Sequence, residues 1–201
     1  MTMIALRFID HTGLHFPEGD NGMKLKYLLL VWKDIVFSIL LIAVAGCTQY
    51  YNPTEKTFPI NEKMVPGFAG KGTIAIINMQ PHGTEFVLVS QSGSTWKGDL
   101  GKWTDTAVNY IEIELTKRNL VITDSGQKRL KVGITHANAI FGAWVIGCKL
   151  NLRVETGDGY VREFEGNNTS PGTLFRAADG AVMRAVVAAL NDPAIVSYLE
   201  K

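Results

Sequence analysis

The sequence predicts an α+β two-layer sandwich, in which a mainly antiparallel sheet carries two long helices on one face and a short C-terminal helix closes the chain. Three observations carry that expectation. Trp144, Ile146, Cys148, Leu150, Leu152 and Val154 alternate with Lys149, Asn151, Arg153 and Glu155 on the other side. One apolar and one polar face marks an antiparallel strand covered on a single side. Two other stretches, about 102–118 and 170–190, repeat their apolar residues at helical spacing. These helices are segregated from the run of strands rather than alternating with it, which favours α+β over a doubly wound sheet.

Taken in order, Thr73 to Asn78 (TIAIIN) is a short β-branched run suited to a central strand. Pro81-His82-Gly83 breaks it, and Glu85 to Ser90 (EFVLVS) gives a second strand. The stretch QSGSTWKGDLG reads as a loop leading into the helix over 102–118. Trp103, Ala107, Ile111 and Leu115 form its apolar stripe, Lys117 and Arg118 suit its C-terminal dipole, and Asn119 suits a left-handed terminator. Leu120 to Thr123 is a strand ending at Asp124-Ser125-Gly126, and longer strands cover about 128–137 and 143–156. Thr156-Gly157-Asp158-Gly159 turns the chain into a strand over 160–166. Ser170-Pro171 supplies an N-cap and first residue for the second helix, whose inward face is Leu174, Ala178, Val182, Ala185 and Ala189. Asn191 ends it, and Asp192-Pro193 opens the last short helix. The expected order over 72–201 is β-β-α-β-β-β-β-α-α.

The chain before residue 72 is organised differently. Tyr27 to Ala45 is apolar except for Lys33, Asp34 and Ser38. A membrane span needs roughly twenty predominantly apolar residues, and each mid-span charge costs about 2.5–3.5 kcal/mol. The uninterrupted part, 35–45, has the length of a signal-peptide apolar region. Met23-Lys24-Leu25-Lys26 gives that region a basic start, and Ala43, Ala45 and Gly46 put small residues before Cys47. Residues 23–46 are therefore expected to be a signal peptide ending at Gly46, with an uncleaved anchor and a core helix as the alternatives. Residues 1–22 hold charge and Pro ahead of Met23 and are expected to be an extension from a misassigned start. Residues 47–71, with three prolines and no sustained period, are expected to be a flexible tether.

Composition narrows the function. The 201 residues hold 20 Lys and Arg against 19 Asp and Glu, interspersed, so no nucleic-acid footprint is expected. Two cysteines, Cys47 and Cys148, do not make a disulfide framework. GFAGKGT at 67–73 lacks the Ser/Thr after its Lys and precedes a strand, so it is no phosphate loop. His82 in a turn and His136, expected on the Leu130-Val132-Ile134 face, lack the partners a metal or acid–base site needs. Cys148 shares its face with apolar side chains and reads as core rather than nucleophile. Glu112 and Glu114 diverge on a helix. Glu163 and Glu165 share a strand face about 7 Å apart, with Arg153 and Arg162 nearby, and read as a solvated face. No catalytic residue, metal ligand or cofactor is expected. Trp96, Trp103, Phe141 and Trp144 lie on or beside Gly-containing loops, where aromatics anchor partners, and are the candidate partner-binding residues.

Val44-Ala45-Gly46-Cys47 resembles the lipobox of bacterial lipoproteins, in which the cysteine thiol is diacylglycerated, the signal is cut before it and the new amine is acylated. The whole layout resembles the YajG-type envelope lipoproteins. That resemblance rests on Cys47, on GTIAIIN, WTDTAVNYIEIELTKRNLVIT and CKLNLRVETGDGYVREF, and on the ending AVVAALNDPAIVSYLEK. It implies a lipid-anchored (palmitate-bearing) periplasmic protein without established enzymatic activity, and it supplies no catalytic residues. Thr48 after the cysteine, in place of Asp, implies sorting to the outer membrane. The expected function is a non-enzymatic accessory role, in which the domain is held to the membrane by acyl chains on Cys47 and binds another envelope protein or polymer. The alternatives are an enzyme acting on an envelope polymer and a lipid- or small-ligand-binding lipoprotein.

Overall fold

The computed structural model describes residues 31–36, 47–91 and 93–201. Two compact units divide the chain, Met1–Ala45 and Gly46–Lys201. In the first, residues 31–36 are helical and exposed. The rest of the expected signal peptide, Gly46 of the expected cleavage site and residues 1–22 lie outside the described residues.

The second unit runs β1 (Cys47–Tyr50), β2 (Thr73–Asn78), β3 (Glu85–Gln91), β4 (Ser94–Asp99), α1 (Leu100–Lys117), β5 (Val121–Ile122), β6 (Lys128–Phe141), β7 (Ile146–Thr156), β8 (Val161–Ser170), α2 (Leu174–Leu190) and α3 (Pro193–Glu200). A five-stranded sheet has the order β5-β2-β6-β7-β8, and a three-stranded sheet the order β1-β4-β3. The fold is the expected α+β sandwich, with α1 and α2 packed on the larger sheet. That sheet is mixed. β2 runs parallel to both β5 and β6, while β6, β7 and β8 form long antiparallel ladders. The parallel pairs arise because β2 reaches both neighbours only through a crossover containing α1, which a short hairpin cannot replace.

The expected periodicities set the core. Trp103, Ala107, Ile111 and Leu115 of α1 are fully buried, as are Ala178, Val182 and Ala185 of α2. Leu130, Val132 and Ile134 of β6 and Leu150 and Leu152 of β7 meet them from the sheet. Asn119 takes φ 66°, ending α1 in the left-handed region that Asn tolerates. α2 lies close on β8, because a Cβ on Gly166 would stand 2.0 Å from the Ala181 carbonyl oxygen. Any side chain there would push helix and strand apart.

Three local expectations are corrected. QSGSTWKGDLG is not a loop, since Ser94–Asp99 is β4, paired antiparallel with β3. Ser170 does not cap α2. It closes β8 opposite Ile146, its Oγ accepts from the Gly172 and Thr173 amides, and Thr173 takes the N-cap by accepting from the Arg176 amide. His136 does not share the Leu130-Val132-Ile134 face. A bulge between Ile134 and His136 reverses the strand's parity, so His136 turns outward and Ala137 and Ala139 take the inward places.

The largest correction concerns residues 47–71, which are docked along the domain rather than free. β1 lies parallel to β4, with Cys47 opposite Ser94 and Gln49 opposite Trp96. Beyond it, the Asp179 carboxylate of α2, itself buried, accepts from the Tyr51 hydroxyl and from the Thr54 amide. The carbonyls of Tyr51, Pro53 and Phe58 accept from Trp103 Nε1 (3.0 Å), Thr106 Oγ1 (2.8 Å) and the Tyr110 hydroxyl (2.9 Å), all on α1. Asn191 Nδ2 donates to the Met64 carbonyl at 2.7 Å, and Ile60, Val65 and Phe68 are buried. The prolines that suggest a tether suit this extended path because helix side chains, not a β-ladder, satisfy its backbone.

Replacing Asp179 by Ala strands the Thr54 amide and leaves the Tyr51 hydroxyl only the Phe175 carbonyl, 3.4 Å away. Such a loss costs ~1–3 kcal/mol. The expected outcome is a lower denaturant midpoint together with faster amide exchange over 51–70, and an unchanged exchange pattern there would contradict the clamp.

Candidate functional site

Cys47 is exposed at the first position of β1, and its thiol is free. Its backbone amide donates to the Gly93 carbonyl at 3.1 Å, which fixes it beside the β3–β4 turn. Cys148 is buried in β7 and is also unpaired, so the two sulfurs occupy unrelated environments. Burial first, and the charge of Asp179 second, push the Cys148 thiol from 9.0 up to about 12. A thiol so held is a poor nucleophile and behaves as a small core hydrophobe.

The four aromatic candidates separate. Trp103 is not at the surface at all. It is fully buried, edge-on to both Phe86 and Tyr51, and its indole nitrogen is engaged by the Tyr51 carbonyl. Trp96 and Phe141 are half-buried and come together from different sheets, lining a groove of about 310 Å³ with Val89, Gln91 and Ser94. Trp96 also meets Phe175 edge to face, centroids 5.8 Å apart. Trp144 lies in the turn after β6 and is 88% exposed.

Strand register brings this groove and Cys47 to one end of the domain. Ser94 lines the groove and faces Cys47 across the β1–β4 ladder. The end consists of the start of β1, the β3–β4 turn, the β6–β7 turn and the end of β8. The sequence in these four segments, residues 47–54, 86–96, 137–148 and 166–175, contains no Asp, Glu, Lys, Arg or His. Sequence reasoning from motifs missed this feature. Each charge-free window is legible alone, but only the pairing shows that they converge.

The titratable candidates lie elsewhere. His136 and Glu165 both pair with Asn151, from opposite sides, on the outward face of the large sheet. Glu163 accepts from Thr135 Oγ1 at 3.3 Å, and Glu165 is paired with Lys149 at 2.7 Å. All three occupy an open strand face, and the two carboxylates are held by neighbours. His82 is exposed, with Nε2 3.3 Å from Asp105. Glu112 is part-exposed on α1, whereas Glu114 is buried and bound by Lys117 and Arg118 at 2.6 and 2.7 Å. Among the described residues no three His, Cys, Asp or Glu side chains are grouped to hold a metal. Among them, too, no single helix is long and apolar enough to cross a membrane. At the opposite end of the sheet, a shallow depression of about 650 Å³ is lined by Lys128, Arg129, Asp158, Tyr198 and Lys201.

Comparison of the sequence with models of known protein families and with curated proteins finds no match.

The raised Cys148 pKa means the folded chain holds that proton longer than the unfolded one. Its contribution to stability is fully present below about pH 9 and is lost as pH rises toward about 12. Above about pH 9 the denaturation midpoint of the wild type is therefore expected to fall more steeply than that of Cys148→Ala. Iodoacetamide is expected to modify Cys148 only after unfolding. Rapid alkylation of the folded protein would contradict the burial argument.

Proposed function

We propose that this chain is a non-enzymatic bacterial envelope lipoprotein, tethered through acyl chains on Cys47 to the periplasmic face of the outer membrane, with its α+β domain docking another envelope protein or polymer. The observation that carries this reading is the position of Cys47. The last residue of the Val44-Ala45-Gly46-Cys47 lipobox is also an exposed residue opening the first strand of the folded unit. A cut before Cys47 would release the domain intact, and a lipid on its exposed sulfur would displace no core side chain. Acylation of the amine leaves one N–H, enough to keep the hydrogen bond to Gly93.

Two acyl chains or more hold a protein durably, because each buried methylene contributes about 0.8 kcal/mol. No span is then needed. The charged depression at the far end of the sheet is the surface this reading assigns to the partner. There Lys128 already donates to the carbonyls of Lys71 and Leu199, and Lys201 lies 3.6 Å from Asp158, so Arg129 and that exposed ion pair are the groups this reading assigns to recognition. The open placement of His136, Glu163 and Glu165 favours this accessory role over the alternative of an enzyme. The filled layer between helices and sheet, with Trp103, Ile111 and Leu150 fully buried, favours it over a ligand carrier.

Metabolic labelling with an alkyne-palmitate analogue tests the anchor. Wild-type protein is expected to take up label and partition with membranes, whereas Cys47→Ala is expected to lose both. Equal labelling of the two would overturn the reading.

A further inference from the structure

The charge-free end described above is built, and its composition is unusual for a protein surface. We infer that this end is an interfacial docking surface that lies on the lipid bilayer, with the β6–β7 turn and its Trp144 entering the headgroup layer. The inference rests on the lipoprotein reading of Cys47 and adds to it an orientation and a second membrane contact.

The first argument is the absence of a spacer. Cys47 is held in a ladder opposite Ser94, and Tyr51, four residues on, is clamped by Asp179. Acyl chains leaving Cys47 therefore emerge from the domain surface itself. Whatever surrounds Cys47 must lie within a few ångströms of the lipid.

The second argument is what surrounds it. Ile140 is 66% exposed, Trp144 88% and Val145 48%, all in or beside one turn. Exposed apolar side chains clustered in this way mark an interaction site. The polar side chains in these windows, apart from Cys47, Cys148 and the indoles, are Ser, Thr, Asn, Gln and Tyr. Neutral hydrogen-bonding groups with a projecting Trp match the boundary between headgroups and acyl chains, where amphipathic rings concentrate and below which a charge would be costly to desolvate.

The third argument is the sharpness of the boundary. Charge resumes immediately beyond the windows and does so as ion pairs in both sheets. Lys97 meets Glu85 at 3.1 Å in the small sheet, and Lys149 meets Glu165 at 2.7 Å in the large one. A protein partner would tolerate charges scattered through its contact rim. The apolar layer of a bilayer excludes them over one whole level of the structure.

The test uses the full-length protein purified from membranes and reconstituted in phosphatidylethanolamine–phosphatidylglycerol vesicles with brominated acyl chains. The difference in tryptophan emission between wild type and Trp144→Phe isolates Trp144, and the substitution at so exposed a position leaves the fold intact. Trp144 emission is expected to be blue-shifted, quenched by the brominated lipid and shielded from aqueous iodide. Quenching by iodide but not by lipid would overturn the inference, because the end would then face water. Protection from both would also overturn it, because protein or a second copy would then cover the end. The mass of the Cys47 peptide separates the two levels. An unmodified Cys47 brings down the anchoring reading itself, whereas a lipidated Cys47 with an iodide-exposed Trp144 brings down only the orientation.

Discussion

The structure depends on the docking of the chain that follows Cys47. Asp179, buried on α2, accepts from both Tyr51 and Thr54, and three side chains of α1 donate to carbonyls of the same segment. A buried carboxylate without partners would be costly, so the segment and the helix stabilise each other. Burial, and then the Asp179 carboxylate, hold the Tyr51 phenol well above its ordinary range, which keeps it a donor at any physiological pH. The same docking closes the side of the helical layer that the sheet does not cover. Ile60, Val65 and Phe68 join the core from this segment, so residues 51–70 act as a strap over the helices.

The strap also determines where Cys47 sits. A free tether of ~25 residues would allow the domain to tumble tens of ångströms from its attachment point. With the strap docked, only β1 separates Cys47 from the core, and β1 is itself paired. Cys47, the attachment point on the lipoprotein reading, and the domain then share one rigid frame. The distribution of charge gains meaning from this, because polarity can be matched to a surface only if the domain keeps one orientation toward it. The neutral end around Cys47 and the charged depression beside Lys128 and Arg129 lie at opposite ends of β6, and the ladder between them is continuous apart from one bulge.

Much of this architecture was legible in the sequence, and the reasons for the failures are physical. Long elements with one buried face declare their period, so the stripe from Trp103 to Leu115 and the alternation from Cys148 to Val154 gave the sandwich directly. β4 was obscured because STWKGD carries no alternation, and its ladder satisfies backbone groups whatever its side chains are. The strap was obscured for a related reason. Its partners are Asp179, Trp103, Thr106 and Tyr110, all more than fifty residues away, and no local pattern announces a hydrogen bond of that separation. Trp103 shows the cost of reading an aromatic by its neighbours alone. Next to a Gly-rich stretch it resembles a surface anchor, yet it lies at the helical spacing of Ala107 and Ile111, and the period decided its place. Of the candidate site, the Cys47 motif was legible, whereas the neutral end was not, because it exists only after four separate strand ends are brought to one level.

The geometry also limits what the domain can reach. β7 has 11 residues, which at ~3.3 Å each span about 35 Å from the neutral end to the charged one. Under the lipoprotein reading, with the strap docked and the neutral end on the bilayer, the Arg129–Lys201 surface stands at roughly that height above the membrane. A partner recognised there must itself lie within a few tens of ångströms of the same membrane, or extend a segment to that level. A docked strap thus exchanges reach for orientation. A free tether would let one surface search a large volume, whereas this arrangement presents one charged surface at one height.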